Sequence, residues 1–184
     1  MDRLSQFIRV LSGRFDNSAQ LRALADAGVT DFPAARHVNT PCNDKIAGLP
    51  EGFRGVFLVE ESYYTVGGRT NASPHLFLFT EEGEGVKLTA YDLPDGCDKA
   101  HFTYETMPVT EYAALRPSAR FTPAVYRLRD GVWEGGSDSE FAPGLKFHLF
   151  ERFSEAVLEV TETMERGGAR VFGYDRPILY KRSE

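Results

Sequence analysis

The sequence predicts a mainly β protein, an antiparallel barrel of about eight to ten short strands behind N-terminal helices. Three observations carry that expectation. After Gly55, runs of aromatic and β-branched residues recur at near-regular spacing, cut by glycine pairs and an Asp-Gly step. No strand–helix alternation is present, which argues against a parallel α/β sheet. A meander of this size leaves exposed edges, and closure into a barrel removes them.

The elements follow in order. Leu4, Phe7, Ile8 and Leu11 fall at i, i+3, i+4 and i+7 and make one apolar helical stripe. Asp16, Asn17 and Ser18 can each cap a second short helix, which carries Gln20, Leu21 and Leu24 and stops near Gly28. From Thr30 to Gly55 the pattern is weak, and prolines at 33, 41 and 50 suggest extended segments and turns. Val56–Val66 reads as a strand, with Gly67-Gly68 as its turn and His75–Thr80 as the return. Val86–Leu93 alternates in polarity, and Ala100–Met107 is a weaker strand. Tyr112, Ala113 and Leu115 can make one helical turn. Ala124–Arg129, the Asp130-Gly131 turn and Val132–Gly135 read as a hairpin. Leu145–Phe153 places Leu145, Phe147, Leu149 and Glu151 on one face. Val157–Met164 and Ala169–Gly173 make another hairpin about Gly167-Gly168, and Ile178–Arg182 closes the chain. The expected organisation is a single domain over residues 1–184, helical over 1–28 and built of barrel strands over 55–182.

Composition narrows the function classes. The chain carries 27 acidic and 21 basic side chains, a net charge of -6, with no basic run. That balance argues against nucleic acid as a partner. No apolar stretch approaches the length that spans a bilayer. The start, Met-Asp-Arg-Leu-Ser-Gln-Phe-Ile-Arg, lacks the apolar core of a signal peptide, so a cytoplasmic location is expected. Cys42 and Cys97 are too few for a disulfide scaffold and are expected as free thiols.

Several residues carry a resemblance. Gly13-Arg14-Phe15-Asp16-Asn17-Ser18-Ala19-Gln20 is similar to a G-x-F-x-N-x-x-Q pattern, and His37-Val38 follows it. Phe57-Leu58-Val59-Glu60-Glu61-Ser62-Tyr63-Tyr64 is similar to an E-Q-x-Y-x-Y segment, with Glu61 where Gln is usual. Gly173-Tyr174-Asp175-Arg176-Pro177-Ile178-Leu179-Tyr180-Lys181-Arg182 is similar to a G-x-x-x-P-x-x-F-x-R ending. Together, in this order, they resemble the CpcT/CpeT family of phycobiliprotein chromophore lyases. The resemblance implies a lipocalin-like (calycin-type) barrel that binds a linear tetrapyrrole (bilin), often as a homodimer. It implies transfer of the bilin to a cysteine of an acceptor protein, with no further cofactor required. Ser73-Pro74-His75-Leu76-Phe77 stands where the family carries an arginine. That departure favours an alternative, a non-enzymatic carrier of another small hydrophobic ligand. A filled-barrel interaction module is the third reading.

Candidate site residues follow from chemistry. Glu60 and Glu61 point to opposite faces of one strand, and the inward carboxylate must be paired or ligand-bound. Glu61, on the face of Tyr63, is the candidate general acid. His75 heads an aromatic strand and can contact a ligand nitrogen. Arg69 and Arg176 are candidates to hold propionates, because a planar guanidinium matches a carboxylate. Tyr63, Tyr91, Trp133 and Tyr174 are candidates to stack on the ligand, with Tyr126 beside them. His37, His101 and His148 are weaker candidates. Cys97 and His101 offer two metal ligands where structural zinc takes four, so no metal site is expected. Gly135-Gly136-Ser137-Asp138-Ser139 lacks the last glycine of a nucleophile elbow and reads as a polar bend.

Overall fold

The computed structural model describes residues 2–183. It contains helices α1 (Arg3–Leu11) and α2 (Ser18–Asp26). The strands are β1 (Gly13–Asp16), β2 (Ala34–Pro41), β3 (Ile46–Ala47), β4 (Val56–Val66), β5 (Arg69–Glu82), β6 (Gly85–Tyr91) and β7 (Thr110–Glu111). They continue with β8 (Ala124–Arg129), β9 (Val132–Ala142), β10 (Leu145–Phe153), β11 (Leu158–Arg166), β12 (Ala169–Gly173) and β13 (Ile178–Ser183). Strand neighbours run β10-β9-β8-β6-β5-β4-β2-β1-β13-β11, and β11 pairs back onto β10. Ten antiparallel strands therefore close into a barrel. The β12 strand extends β11 beyond the wall, and β3 pairs with β7 outside it.

Two strands of the barrel wall were not legible in the sequence, β1 and β2, and both complete the closure. Ala100–Met107, expected as a strand, instead holds a short helical turn over Lys99–His101 and a loop. Its apolar residues Phe102 and Met107 pack on the outer face of β4 and β5 with Phe57, Val59, Leu76 and Leu78. The segment Gly135–Ser139, expected as a bend, runs within β9. Neighbouring strands press so closely there that a Cβ on Gly135 would strike the Val125 carbonyl, and one on Gly136 the Leu149 carbonyl.

Helix α1 closes one end of the barrel. Asp2 caps it by accepting from the Ser5 amide at 2.7 Å. Its buried stripe of Leu4, Phe7, Ile8, Val10 and Leu11 enters the barrel core. The Phe7 ring lies 5.0–5.3 Å from the rings of Phe79, Tyr126, Trp133 and Phe153. Arg3 ties the helix to the Gly83 carbonyl in the β5–β6 turn, at 2.9 Å.

The termini meet where the barrel closes. Arg182 of β13 donates to the Ser12 and Val10 carbonyls at 2.6 and 2.9 Å, and its guanidinium lies 4.7 Å from the Phe15 ring centre. Gln20 of α2 donates to the Pro177 carbonyl at 2.9 Å and accepts from the Leu179 amide at 3.0 Å. Asn17 makes no cap bond to its helix. Its side chain donates to the Pro33 carbonyl and accepts from the Ala35 amide, which secures the start of β2.

Candidate functional site

The strand period decides which side chains enter the barrel. In β4, Leu58 belongs to the inner core while Phe57 and Val59 belong to the outer cluster. Glu60, Ser62 and Tyr64 share the phase of Leu58 and point inward. Glu60 accepts from the Ser62 hydroxyl at 3.0 Å. The same hydroxyl lies 3.1 Å from Nε2 of His37, which enters from β2. With the Ser62 proton on Glu60, the network assigns Nε2–H to His37 as the donor toward Ser62. His37 Nδ1 then lacks a proton and a hydrogen-bond partner, and lies 3.8 Å from Glu60 Oε2. Burial holds His37 down at about 3, so the ring is neutral. Burial also pushes the Glu60 carboxyl well above the ordinary range, helped by the nearby Glu151 and Glu162 charges.

Two further carboxyls join from β10 and β11. The Tyr126 hydroxyl donates to Glu151, and the Tyr64 hydroxyl donates to Glu162 at 3.0 Å. Burial pushes Glu151 up to about 7, against the lowering effect of the Tyr126 bond. Burial raises Glu162 as well, opposed by Tyr64. Tyr180, from β13, is wholly buried, and its hydroxyl has no hydrogen-bond partner among the described residues. Burial raises its pKa, the neighbouring Tyr64 hydroxyl opposes the rise, and the charges of Glu162, Glu60 and Glu151 add to it.

Glu60, Glu151 and Glu162 line one interior cavity, together with His75 and the rings of Phe77, Phe121 and Phe147. The cavity offers about 40 Å³ to a water-sized sphere, room for about three waters at roughly 10–15 Å³ each. No lysine or arginine lines it. His75 stacks on Phe77 with ring centres 5.3 Å apart and meets Phe121 edge-on at 5.8 Å. Burial lowers His75 to about 4, with Lys99 and Arg120 adding to the effect. The arrangement can accept hydrogen bonds from, or neutralise, a donor-bearing group inside an apolar sleeve.

The expected site residues scatter over the fold. His75 lines the cavity, as its aromatic strand suggested. Glu61 lies on the outer face, where it accepts from the Tyr63 hydroxyl at 2.8 Å and the Tyr104 amide at 3.3 Å. Tyr63 lies there too, under the Arg36 guanidinium at 4.5 Å. Tyr91 packs outside the wall against Phe57. Trp133 is buried at the closed end beside Phe7, away from the cavity lining. Arg69 is exposed at the β4–β5 turn. Tyr174 and Arg176 line a small surface dent with Tyr64 and Glu162, about 10 Å³ in size. Glu162 thus borders both the dent and the interior cavity.

The residues that do converge carried weaker signals. Glu151 continues the apolar face of Leu145, Phe147 and Leu149, and Glu162 continues that of Leu158 and Val160. A carboxylate in an apolar period was the mark that could have found them. Cys42 is buried in the outer cluster, and burial pushes its thiol up to about 12, which leaves no nucleophilic thiolate. Cys97 belongs to the same cluster, and His101 pairs with Asp98. Among the described residues, no three His, Cys, Asp or Glu side chains are grouped to hold a metal ion. No helix among them is long and apolar enough to cross a membrane. No family model matches the chain, and no curated protein matches it.

Proposed function

We propose that this protein is a carrier that holds a small hydrophobic ligand inside a lipocalin-like barrel. One observation carries the reading. The rings of Phe77, Phe121 and Phe147 line a cavity with three carboxyls, and no lysine or arginine among the described residues lines it with them. Burying polar groups in this way costs stability, so a structural core gains nothing from it. A binding site gains orientation and specificity from the same groups.

A linear tetrapyrrole is the second reading. Its row of N–H donors complements three carboxyl acceptors, and the motif order resembles the chromophore lyases. A bilin, like the naphthylamine dye below, is larger than the present cavity, since sites for molecules of that size occupy roughly 300–1,000 Å³. Its entry requires the hairpins at the mouth, β4–β5 and β9–β10, to part. Transfer to an acceptor cysteine would then draw its proton from Glu151 or Glu162, whose raised pKa values suit general-acid work.

One titration series tests both. Purified protein is titrated with the neutral dye N-phenylnaphthylamine, with energy transfer from Trp133, the one tryptophan, as the signal. Biliverdin and phycocyanobilin are followed by visible absorption. A saturable dye signal that Leu149→Phe, which fills the cavity without adding a tryptophan, abolishes supports the carrier. A saturable, red-shifted bilin band, lost in the same variant, supports the tetrapyrrole. Silence from all three ligands overturns both readings.

A further inference from the structure

The barrel wall breaks between β12 and β13. Both strands lie along the same side of β11, which pairs with β13 over Leu158–Val160 and with β12 over Thr163–Arg166. Thr161 and Glu162 belong to neither ladder, and the four residues Tyr174 to Pro177 stand opposite these two. The longer segment forms a strap across the gap. A surface dent lies there, lined by Thr161, Glu162, Tyr64 and, from the strap, Tyr174 and Arg176. Thr161 and Glu162 alternate in phase, so both faces of one strand line the same hollow. A hollow lined in that way sits at an opening in the sheet. Val160 and Ile178, members of the inner core, line it as well. On its inner side Glu162 lines the cavity of Glu60, Glu151 and His75. Among the described residues, Glu162 alone borders both spaces, and it is half-buried.

Few contacts keep this place shut. On the outside, Asp175 pairs with Arg170 of β12, the Tyr174 ring packs 5.1 Å from Phe32, and Gln20 donates to the Pro177 carbonyl at 2.9 Å. On the inside, the Tyr64 hydroxyl donates to Glu162 at 3.0 Å, which joins β4 to β11 across the opening. A segment without ladder bonds opens at a lower free energy than the barrel as a whole. Arg176 is exposed in the dent and makes no ion pair among the described residues. A Glu162 carboxylate released by Tyr64 has that guanidinium as its next partner.

We propose that the break is a side window, latched by the Tyr64–Glu162 hydrogen bond, through which water and solutes of a few heavy atoms exchange with the interior cavity. Ring-sized guests do not pass it and still require the hairpins at the mouth to part. Waters displaced by such a guest leave through the window. The exchange itself occurs in the empty barrel too, so it stands apart from the carrier reading.

The test follows labelling of an interior thiol by methyl methanethiosulfonate, a small neutral reagent. The thiol is Ala90→Cys, at a cavity position 4% exposed, in a chain that also carries Cys97→Ser. The same chain without Ala90→Cys gives the background from Cys42, which is buried outside the wall. Tyr64→Phe should speed labelling about threefold or more, the effect of losing one hydrogen bond from the closed form. Tyr126→Phe removes the same kind of bond from the same cavity, hydroxyl to Glu151 on β8 and β10, and should leave the rate within about twofold. Thermal unfolding of each variant establishes that it folds. Should Tyr64→Phe not fold, Arg176→Gln replaces it, with slower labelling expected and an unchanged rate overturning the window. No acceleration in Tyr64→Phe, equal acceleration in both tyrosine variants, or a thiol unreactive in every chain would overturn it as well.

Discussion

Glu60 and Glu61 are consecutive in β4 and lie on opposite sides of the barrel wall. Glu60 is inside, bonded to Ser62 and beside His37. Glu61 is outside, bonded to Tyr63 and Tyr104. The same substitution should therefore act in two ways. Glu61→Gln weakens two part-buried hydrogen bonds and should cost about 0.5–1.5 kcal/mol without touching ligand affinity. Glu60→Gln replaces a carboxyl that burial already favours in its neutral form. It should change stability by less than about 1 kcal/mol near pH 6 and weaken binding of any donor-bearing ligand. Denaturant titration and ligand titration of both variants separate the two effects. Loss of ligand affinity in Glu61→Gln alone would place the site on the wrong face.

The interior carboxyls and imidazoles should shape stability against pH in opposite directions. Glu151 rises from 4.5 to about 7 in the fold, and Glu60 and Glu162 move the same way. Above the unfolded value the folded form keeps protons that the unfolded chain has lost, so stability falls as pH climbs from 4.5 through 7. His37 and His75 fall from 6.5 to about 3 and about 4. Below 6.5 the unfolded chain takes up protons that these rings refuse, so stability also falls as pH drops toward 4. Other ionisable groups facing this interior are Tyr64, Tyr126 and Tyr180, all raised, with Lys99 and Arg120 near His75. Stability should peak between about pH 5 and 6.5 and decline toward pH 8, by up to about 1.4 kcal/mol per pH unit per proton, and the melting temperature should follow it. Glu151→Gln should flatten the alkaline decline. A melting temperature that climbs steadily from pH 6 to 8 in the natural chain contradicts the assignment.

The barrel class was legible because β4, β8, β10 and β13 carry apolar or aromatic residues at period two or in long runs. The phase of β4 was not. Its outer residues Phe57 and Val59 are covered by the 92–117 segment and are as apolar as its inner ones, so nothing in the pattern separates Glu60 from Glu61. β2 escaped notice because its inward residues include His37 and Asn39, polar groups that erase the hydrophobic period. The far half of β9 was hidden by Gly135, Gly136 and three serine or aspartate residues, which weigh against strand by propensity. The site was fragmentary for a related reason. Its members lie on β2, β4, β5, β10 and β11, and only register brings them to one height.

The closed end makes an independent claim. Phe7 inserts among four rings, and Trp133 is one of them. Phe7→Ala should cost about 3–5 kcal/mol, since the barrel wall cannot collapse into the void. It should also shift Trp133 emission to the red, as water reaches an indole that is now 1% exposed. Chemical denaturation followed by that emission reads both. A loss under about 1 kcal/mol would mean that α1 caps the barrel without filling it.

Closure of the barrel bears on the meaning of the motif resemblance. Gly13, Phe15, Asn17 and Gln20 do not approach the cavity, and neither do Pro177 and Arg182. They join the two ends of the chain: Arg182 to the Val10 and Ser12 carbonyls and the Phe15 ring, Gln20 to Pro177 and Leu179. A pattern shared at these positions therefore speaks to how the barrel is sealed before it speaks to any reaction. Gln20→Ala removes one acceptor and one donor from the β13 backbone and should cost about 1–3 kcal/mol. Arg182→Lys keeps the charge but loses the planar fork that reaches two carbonyls and covers the Phe15 ring, and should cost about 1–2 kcal/mol. Because β1 and β13 form the seam, amide exchange in Arg14–Asp16 and Lys181–Ser183 should quicken in both variants, before any change in β8 or β9. Uniform acceleration across all strands would show that the seam opens only with the whole barrel, and that these contacts hold the global fold rather than its closure.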